Sequence, residues 1–406
     1  MRVHHILFLI ALLIGRSASL AAPIECRGMI TGPDGKSLPR ADVVLLTPDR
    51  VTIVATQRAG TDGSFTLAVP SKGLWVVRCM GVGGRLMDVA LYVPDTRPIR
   101  MTVSLPTHRY LAGDPAMQVI GDFNLWSIPK AIALRQTTNG LFEAELPATT
   151  DTVTIRLRGY RDDEGVEGIT NASYVLNAQG LYDARLPVVN GKAHVQVDPR
   201  KLYRSETPGT ITFVQGSPRT QRIAQAIHAW WSGEEDYFAH QNDHALERVP
   251  AGTPMPDWNA FVGGLVRQAE AEKDTLVRAF WDLGFVCTTM KSKSRTIEKF
   301  SRSLARMGAT SIAWSYSPNT LCYAARNAKW EHTAIERYVK TAMDRHPDPV
   351  VRRRVLFNEF VIAFNADQDI KAAKYYTVLT TKYADTPEGR QTLKEYPREA
   401  LEAPKK

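Results

Sequence analysis

The sequence predicts a multidomain protein: two N-terminal β-sandwiches followed by an all-α helical domain. Two observations predict this class. Between residue 24 and about residue 204, apolar residues alternate in short runs, and Gly, Pro and Asp clusters punctuate them at close intervals, the pattern of antiparallel sandwiches. After residue 217 the apolar spacing changes from two to 3.6, the period of a helix. The chain has 406 residues, room for two to four domains at roughly 100–200 residues each. An apolar content of 44% is enough for ordinary cores.

Residues 1–21 read as an export signal peptide. Arg2, His4 and His5 make a basic start, Ile6 to Ile14 is an unbroken apolar run, and Ser19-Leu20-Ala21 places small residues where a signal peptidase cuts. The run is too short for a bilayer span, which takes roughly 20 residues. No later segment is long and apolar enough either, so the expected location is periplasmic or extracellular, with no transmembrane segment. The formal net charge is +9. Its densest runs, Lys291-Ser292-Lys293-Ser294-Arg295 and Arg352-Arg353-Arg354, carry no interleaved aromatics, so they read as solvated helix faces and no nucleic-acid partner is expected.

Residues 24–106 form the first expected sandwich. Strands are predicted at Arg40–Leu46, Ser64–Val69 and Leu74–Met80, separated by turns at Gly32–Gly35, Thr61–Gly63 and Ser71–Gly73. Gly63 stands where the turn calls for a positive φ. Gly28-Met29-Ile30, Gly35, Leu38-Pro39, Ala41 and Val43, then Asp62-Gly63-Ser64-Phe65, resemble the carboxypeptidase-regulatory, transthyretin-like domain. Ala59-Gly60 departs from the Thr-Asp usual there. The resemblance implies a structural or interaction module without chemistry of its own.

Residues 108–204 hold the second expected sandwich. A short apolar strand, Val119-Ile120, runs into Gly121-Asp122-Phe123-Asn124-Leu125-Trp126-Ser127, and Gly140 opens a strand through Phe142 to Leu146-Pro147. Further strands are predicted at Thr152–Arg158 and Ala193–Val197. Gly159 to Ser173 reads as a loop, and 177–187 as loop plus strand. The Gly-x-Phe-Asn-x-Trp turn and the later Gly-x-Phe strand resemble the opening of an immunoglobulin-like early-set domain of the glycogen-binding, family 48 carbohydrate-module type. That resemblance implies aromatic rings serving as platforms for sugar faces, with polar side chains catching hydroxyls. It makes Asn124, Trp126, Arg156 and Arg158 the candidate carbohydrate-binding residues. The competing assignment for Trp126 is a packed core residue.

Residues 205–217 (Ser205–Gly209, then Gln215-Gly216-Ser217) are a predicted linker. The α-helical domain spans 218–400. Ile223, Ile227, Trp230 and Trp231 fall at helical spacing, as do Trp258, Phe261 and Leu265; Leu276 and Phe280; and Ile297, Phe300 and Leu304. Pro250, Pro254 and Pro256 break the first helix from the second, which Asp257 caps. Ser315 to Leu321 reads as a connector. Three further helical stripes follow, and the last, Asp369–Tyr376 with its Tyr383-Ala384-Asp385-Thr386-Pro387 exit, is similar to a tetratricopeptide-type repeat. Only one copy is present, so α-hairpin packing is expected rather than an array.

Four cysteines fall as two pairs, Cys26 with Cys79 and Cys287 with Cys322. In an oxidising compartment they permit two disulfides, one per region. Three connectivities remain open, with pairing inside each region favoured by the Cα spacing of about 7 Å or less that a bridge needs.

Signals for catalysis are thin. His240 and His244 are one helical turn apart, but Gln241 stands where a zincin needs Glu, so no metal or other cofactor is expected. No Gly-x-Ser-x-Gly occurs, Gly81-Val82-Gly83-Gly84 lacks the Lys-Ser/Thr of a phosphate cradle, and the acidic run Asp162-Asp163-Glu164 lies in a polar loop. The sequence therefore predicts an exported, non-enzymatic binding or scaffold protein, its partner a cell-envelope glycan or a cell-envelope protein. The alternative is an accessory or catalytic part of a periplasmic hydrolase or peptidase system.

Overall fold

A computed structural model of the chain describes residues 22–108, 116–160, 164–177, 181–202, 207–245, 249, 252–291 and 297–396. The export signal expected at 1–21, most of the 291–295 basic run and Asp162-Asp163 lie outside the described residues. The N-terminal half is β-rich and the C-terminal half helical.

Seven strands build the first unit: β1 (Ile24–Thr31), β2 (Asp42–Leu46), β3 (Ile53–Arg58), β4 (Ser64–Val69), β5 (Gly73–Gly81), β6 (Gly84–Val93) and β7 (Ile99–Ser104). The second unit holds β8 (Gln118–Gly121), β9 (Ile132–Ala133), β10 (Arg135–Gln136), β11 (Phe142–Pro147), β12 (Thr152–Arg158), β13 (Ser173–Leu176), β14 (Tyr182–Val189) and β15 (Lys192–Val197). A last strand, β16 (Thr210–Gln215), lies inside the segment expected to be a linker. It runs antiparallel to β7, with Thr210 opposite Ser104 and Thr212 opposite Thr102. The chain thus leaves the first unit, builds the second, and returns to close the first.

The first unit is two four-stranded sheets, ordered β16-β7-β1-β4 and β3-β2-β5-β6. Cys26, Ile30, Phe65 and Leu67 of the first sheet meet Val43, Leu45, Val77 and Leu91 of the second in an apolar layer. Gly63 has a φ of 78°, and a Cβ there would lie 2.5 Å from the Ile30 carbonyl oxygen, so glycine is required twice over.

The outer face of the sheet β3-β2-β5-β6 is apolar as well. Val44, Leu46, Leu74, Val76, Met80 and Ala90 point away from the first layer and are buried against the helices. Every residue of β2 is therefore buried, because neighbouring strand residues face opposite sides and both sides are covered. Sheet, sheet and helices make three layers around two cores.

The helical layer comprises α1 (Pro218–Ala245), α2 (Trp258–Ala271), α3 (Thr275–Lys291), α4 (Ile297–Met307), α5 (Thr320–Asn327), α6 (His332–Arg345), α7 (Pro349–Asn365), α8 (Asp369–Thr381) and α9 (Pro387–Glu395). Asp257 caps α2, its carboxylate accepting from the Ala260 amide at 3.1 Å. The expected connector at 315–321 instead contains the end of a 3-10 turn (Ile312–Tyr316) and the start of α5. Ile223, Ile227 and Trp230 of α1 cover the sheet. Thr220 ties the first turn of α1 to β6, donating to the Tyr92 carbonyl at 2.6 Å. Arg50, in the loop after β2, lies 4.6 Å from the Trp231 ring centroid and 4.9 Å from that of Tyr316, a cation held between two aromatic faces of the helical layer. On the same face Arg78 clasps Asp88 through two hydrogen bonds of 2.8 and 2.9 Å. A separate small core around Phe357, Phe360 and Leu379 holds the last helices together.

The second unit is one continuous sheet, ordered β10-β11-β15-β14-β12-β8-β9 with β13 paired to β14, wrapped around Val119, Ile155, Leu157, Leu186, Val195 and their neighbours. It docks on the first through Tyr182, whose hydroxyl donates to the Asp42 carboxylate at 2.7 Å.

The expected disulfides are not formed. All four cysteines are free and buried. Cys26 and Cys79 sit inside the apolar layer between the two sheets, and Cys322 donates to the Val355 carbonyl at 3.7 Å. Burial alone pushes the Cys26 thiol up to about 12, and burial chiefly pushes Cys287 up to about 11. Both stay protonated at neutral pH and behave as small apolar side chains.

The two-faced sheet makes a direct prediction. Leu45 and Leu46 point to opposite faces of β2. Leu45→Ala and Leu46→Ala should each lower the urea-unfolding free energy by about 2–5 kcal/mol. A Leu46→Ala protein within about 0.5 kcal/mol of the parent, the usual result for a solvent-facing position, would show that the helices do not cover this face.

Candidate functional site

The turn after β8 is built for close approach. At Gly121 a Cβ would lie 2.2 Å from the Thr154 carbonyl oxygen, so only glycine lets the chain pass β12 there. Asp122 then accepts from the Thr154 amide at 3.0 Å, fastening the turn to the strand. Phe123 packs onto the module's core. Asn124 spends its amide inside the turn: Oδ1 accepts from the Gly121 amide at 3.1 Å, and Nδ2 donates to the Ser127 and Lys130 carbonyls at 3.3 and 2.9 Å. Its place is that of a clasp holding the loop.

The clasp forces Leu125 and Trp126 into consecutive left-handed conformations, with φ of 56° and 59°. That region costs a non-glycine residue on the order of 1–2 kcal/mol. The result is an apolar tip on the surface: Leu125 is 86% exposed, Ile128 53% and Trp126 36%. Trp126 is not among the side chains that fill the module's core.

Below the ring, β12 alternates. Val153, Ile155 and Leu157 point into the core, and Arg156 and Arg158 point outward. The Arg156 guanidinium lies 4.9 Å from the Trp126 ring centroid. It is immobilised by Asp183 of β14 at 2.6 Å and by Glu164 at 3.2 Å. Asn177 completes the group, donating to both Asp183 carboxylate oxygens at 3.3 and 3.2 Å. One half-open indole and a fixed set of charged and amide groups therefore share one face. Such a set can stack on a flat apolar surface while its polar edge exchanges hydrogen bonds with hydroxyls.

Of the four residues expected from sequence, three come together here: Asn124 as the clasp, Trp126 as the partly exposed ring, and Arg156 as the cation beneath it. Arg158 lies two residues further along β12, paired with Gln118, and its Nη1 is buried without a hydrogen-bond partner among the described residues. Asp183 and Asn177 lie in 177–187, which the sequence reads only as loop plus strand and which singles out no side chain. A basic residue on an outward face of a strand calls for a carboxylate on the next one, and that was the available signal.

Other concave regions occur among the described residues, and two of them carry clustered charges. A cavity of about 130 Å³ at the seam between β6 and α1 is lined by Arg50, Asp88, His228, Trp231 and Glu235 among others. Burial raises the Glu235 carboxyl above its ordinary range, and burial holds His228 below its own. A larger groove of about 560 Å³ lies between α6, α7 and α8. His240 and His244 both lie on α1, and no cluster of three or more metal-ligating side chains occurs among the described residues. None of the described helices is long and apolar enough to cross a membrane.

The chain matches no protein-family model and no curated protein. Solved structures with some likeness include the dioxygenase domain of a dioxygenase carbohydrate-binding protein fusion from Streptomyces sp. SirexAA-E, 22% identical over 19% of this chain and 60% of that one, with a TM-score of 0.15. Another is fervidolysin from Fervidobacterium pennivorans, a keratinolytic enzyme related to subtilisin, 12% identical over 47% of this chain and 32% of that one, TM-score 0.18. A third is a candidate carbohydrate-binding protein from Bacteroides uniformis, 10% identical over 45% of this chain and 81% of that one, TM-score 0.19. The chain spans 60% of the length of the first of these. Scores this low carry no functional argument.

The division of labour in the turn is testable by stability. Asn124→Ala removes the partners of one amide and two carbonyls and should cost about 1–3 kcal/mol in urea unfolding. Trp126→Ala removes a cation–π contact to a largely buried guanidinium, and its cost should stay at about 1–2 kcal/mol. A Trp126→Ala loss larger than that of Asn124→Ala would make the indole a packing residue.

Proposed function

We propose that this chain is an exported, non-catalytic binding and scaffold protein whose second β-module holds a cell-envelope glycan on Trp126. The observation that carries this reading is the half-open indole, kept at the surface by a strained turn and backed by an immobilised guanidinium. A tryptophan that merely filled space would be buried in the core beside Phe123, without the left-handed backbone that lifts it out. Strain of this kind persists where the surroundings enforce it, and such positions cluster at ligand clamps. Arg156, Asp183, Glu164 and Asn177 are already fixed to one another, so a sugar would meet polar groups whose ordering is complete before binding. The Gly-x-Phe-Asn-x-Trp turn points to α-glucans as the first ligands to try. Export rests on the character of residues 1–21.

A second reading has one observation in its favour. The seam cavity brings His228, Glu235 and Asp88 together, and burial raises the Glu235 carboxyl in the direction that suits a general acid near neutral pH while it favours the uncharged imidazole of His228. It would make the chain a catalytic or accessory part of a hydrolase.

Isothermal titration of the full chain with maltoheptaose separates these. Binding is expected, with the affinity of Trp126→Ala lowered at least about tenfold, or 1.4 kcal/mol. No heat with any soluble glucan, and an unmoved Trp fluorescence, would reject the glycan reading. Turnover of chromogenic glycosides or peptides that Glu235→Gln abolishes would establish the second reading in its place.

A further inference from the structure

The groove between α6, α7 and α8 is the largest concavity among those described and lies apart from the Trp126 turn in sequence and in fold. Its floor is apolar: Val339 and Met343 from α6, Leu356 from α7, Val378 from α8. Its walls carry five cationic side chains and three carboxylates. The carboxylates are largely spoken for. Asp344 pairs with Lys340 of the same helix at 2.6 Å. Glu359 is buried beneath Arg326 at 2.6 Å and Lys371 at 3.6 Å. Lys374 and Lys382 stand exposed on the rim, and among the described residues no carboxylate pairs with either. Tyr375 and Tyr383 complete the wall, with the Lys382 ammonium 5.3 Å from the Tyr383 ring centroid.

The geometry points to a binding site for an acidic polypeptide segment of a partner protein, one that alternates carboxylate and apolar side chains. Charge complementarity sets the sign, since Lys374 and Lys382 outnumber Glu336, the one wall carboxylate that no lysine or arginine pairs with among the described residues. The floor sets the rest. A uniform polyanion such as an acidic glycan or nucleic acid would meet Glu336 and Asp344 and would leave the partly open Met343 and Val378 uncovered. A mixed acidic and apolar segment satisfies both, its carboxylates on the two lysines and its apolar side chains on the floor. The volume of about 560 Å³ falls within the range of sites that enclose a ligand, roughly 300–1,000 Å³.

Fluorescence anisotropy tests this on the full chain with a fluorescein-labelled octapeptide alternating Asp and Leu. Its affinity at low salt should exceed, by at least about tenfold, that of the same peptide with Lys for Asp and that of polyglutamate. The double variant K374E/K382E should lose at least about tenfold of that affinity while its thermal melt stays that of the parent. Met343→Glu, which charges the floor and leaves both lysines in place, should lose it too. An unaltered affinity in K374E/K382E would overturn the proposal. So would polyglutamate binding as tightly as the octapeptide, which would make the groove a polyanion site, or no binding of the octapeptide at all.

Discussion

The structure depends on one sheet whose central strands, β2 and β5, have no open solvent face. In β3-β2-β5-β6, alternate residues of the same strands feed two different cores: Val43 and Leu45 on one side, Val44 and Leu46 on the other. Burying an aliphatic side chain of this size is worth about 1.5–3 kcal/mol. The six side chains on the helix side would all be lost to water if the helices were absent. The helical half is therefore the third layer of the first sandwich, and neither half is complete alone. Around this arrangement the second β-module is an insertion. It begins after β7, is fastened by Tyr182 to Asp42, and ends where β16 returns to β7.

A rigid mount has consequences for binding. The shared cores consume the inner faces of every layer, so the surfaces proposed for recognition are what they leave over: the outward face of β12 with its turn, and the groove among α6, α7 and α8. Both surfaces are ordered before any ligand arrives. The Trp126 turn is held by Asn124 and Asp122, and α7 is tied to α9 by Arg353 and Arg354 on the buried Glu388, at 3.4 and 3.2 Å. Pre-ordering lowers the entropy lost on association and leaves more of the contact energy for affinity. A chain built this way can present two surfaces at a fixed separation, which suits a scaffold.

Much of the layout could be read from the residues. Strands β2, β4, β5, β11, β12 and β15 follow from alternation between turn signals, Gly63 from its turn, and the cap at Asp257 from its position before Trp258. The shared sheet was legible in part. Asp42-Val43-Val44-Leu45-Leu46 has no polar residue on either face after Asp42, the mark of a strand covered on both sides, but nothing local says what covers it. β16 was hidden by its flanks. Thr207-Pro208-Gly209 and Gln215-Gly216-Ser217-Pro218 look like linker ends, and a six-residue strand whose partner is a hundred residues away has no local signature. The cysteines misled for a related reason: an even count in an exported chain suggests bridges, whereas burial in two apolar cores explains each thiol as packing. At the site, the turn was legible through Gly121, Asn124 and Trp126, because glycine and asparagine are demanded by local backbone geometry. The carboxylate partners of Arg156 were not, because they come from other segments.

The four thiols provide the most direct test of the shared core. Cys26 and Cys79 report on the layer between the two sheets, and Cys287 and Cys322, packed among the helices, on the core those helices share with the sheet's outer face. Pulse labelling with iodoacetamide across a urea series, read cysteine by cysteine by mass spectrometry, follows both layers in one sample. One cooperative unit predicts no labelling without urea and a single midpoint common to all four. Labelling of Cys287 and Cys322 at lower urea, with Cys26 and Cys79 still protected, would mean that the helices and the β-sheets fold separately, and would contradict the account.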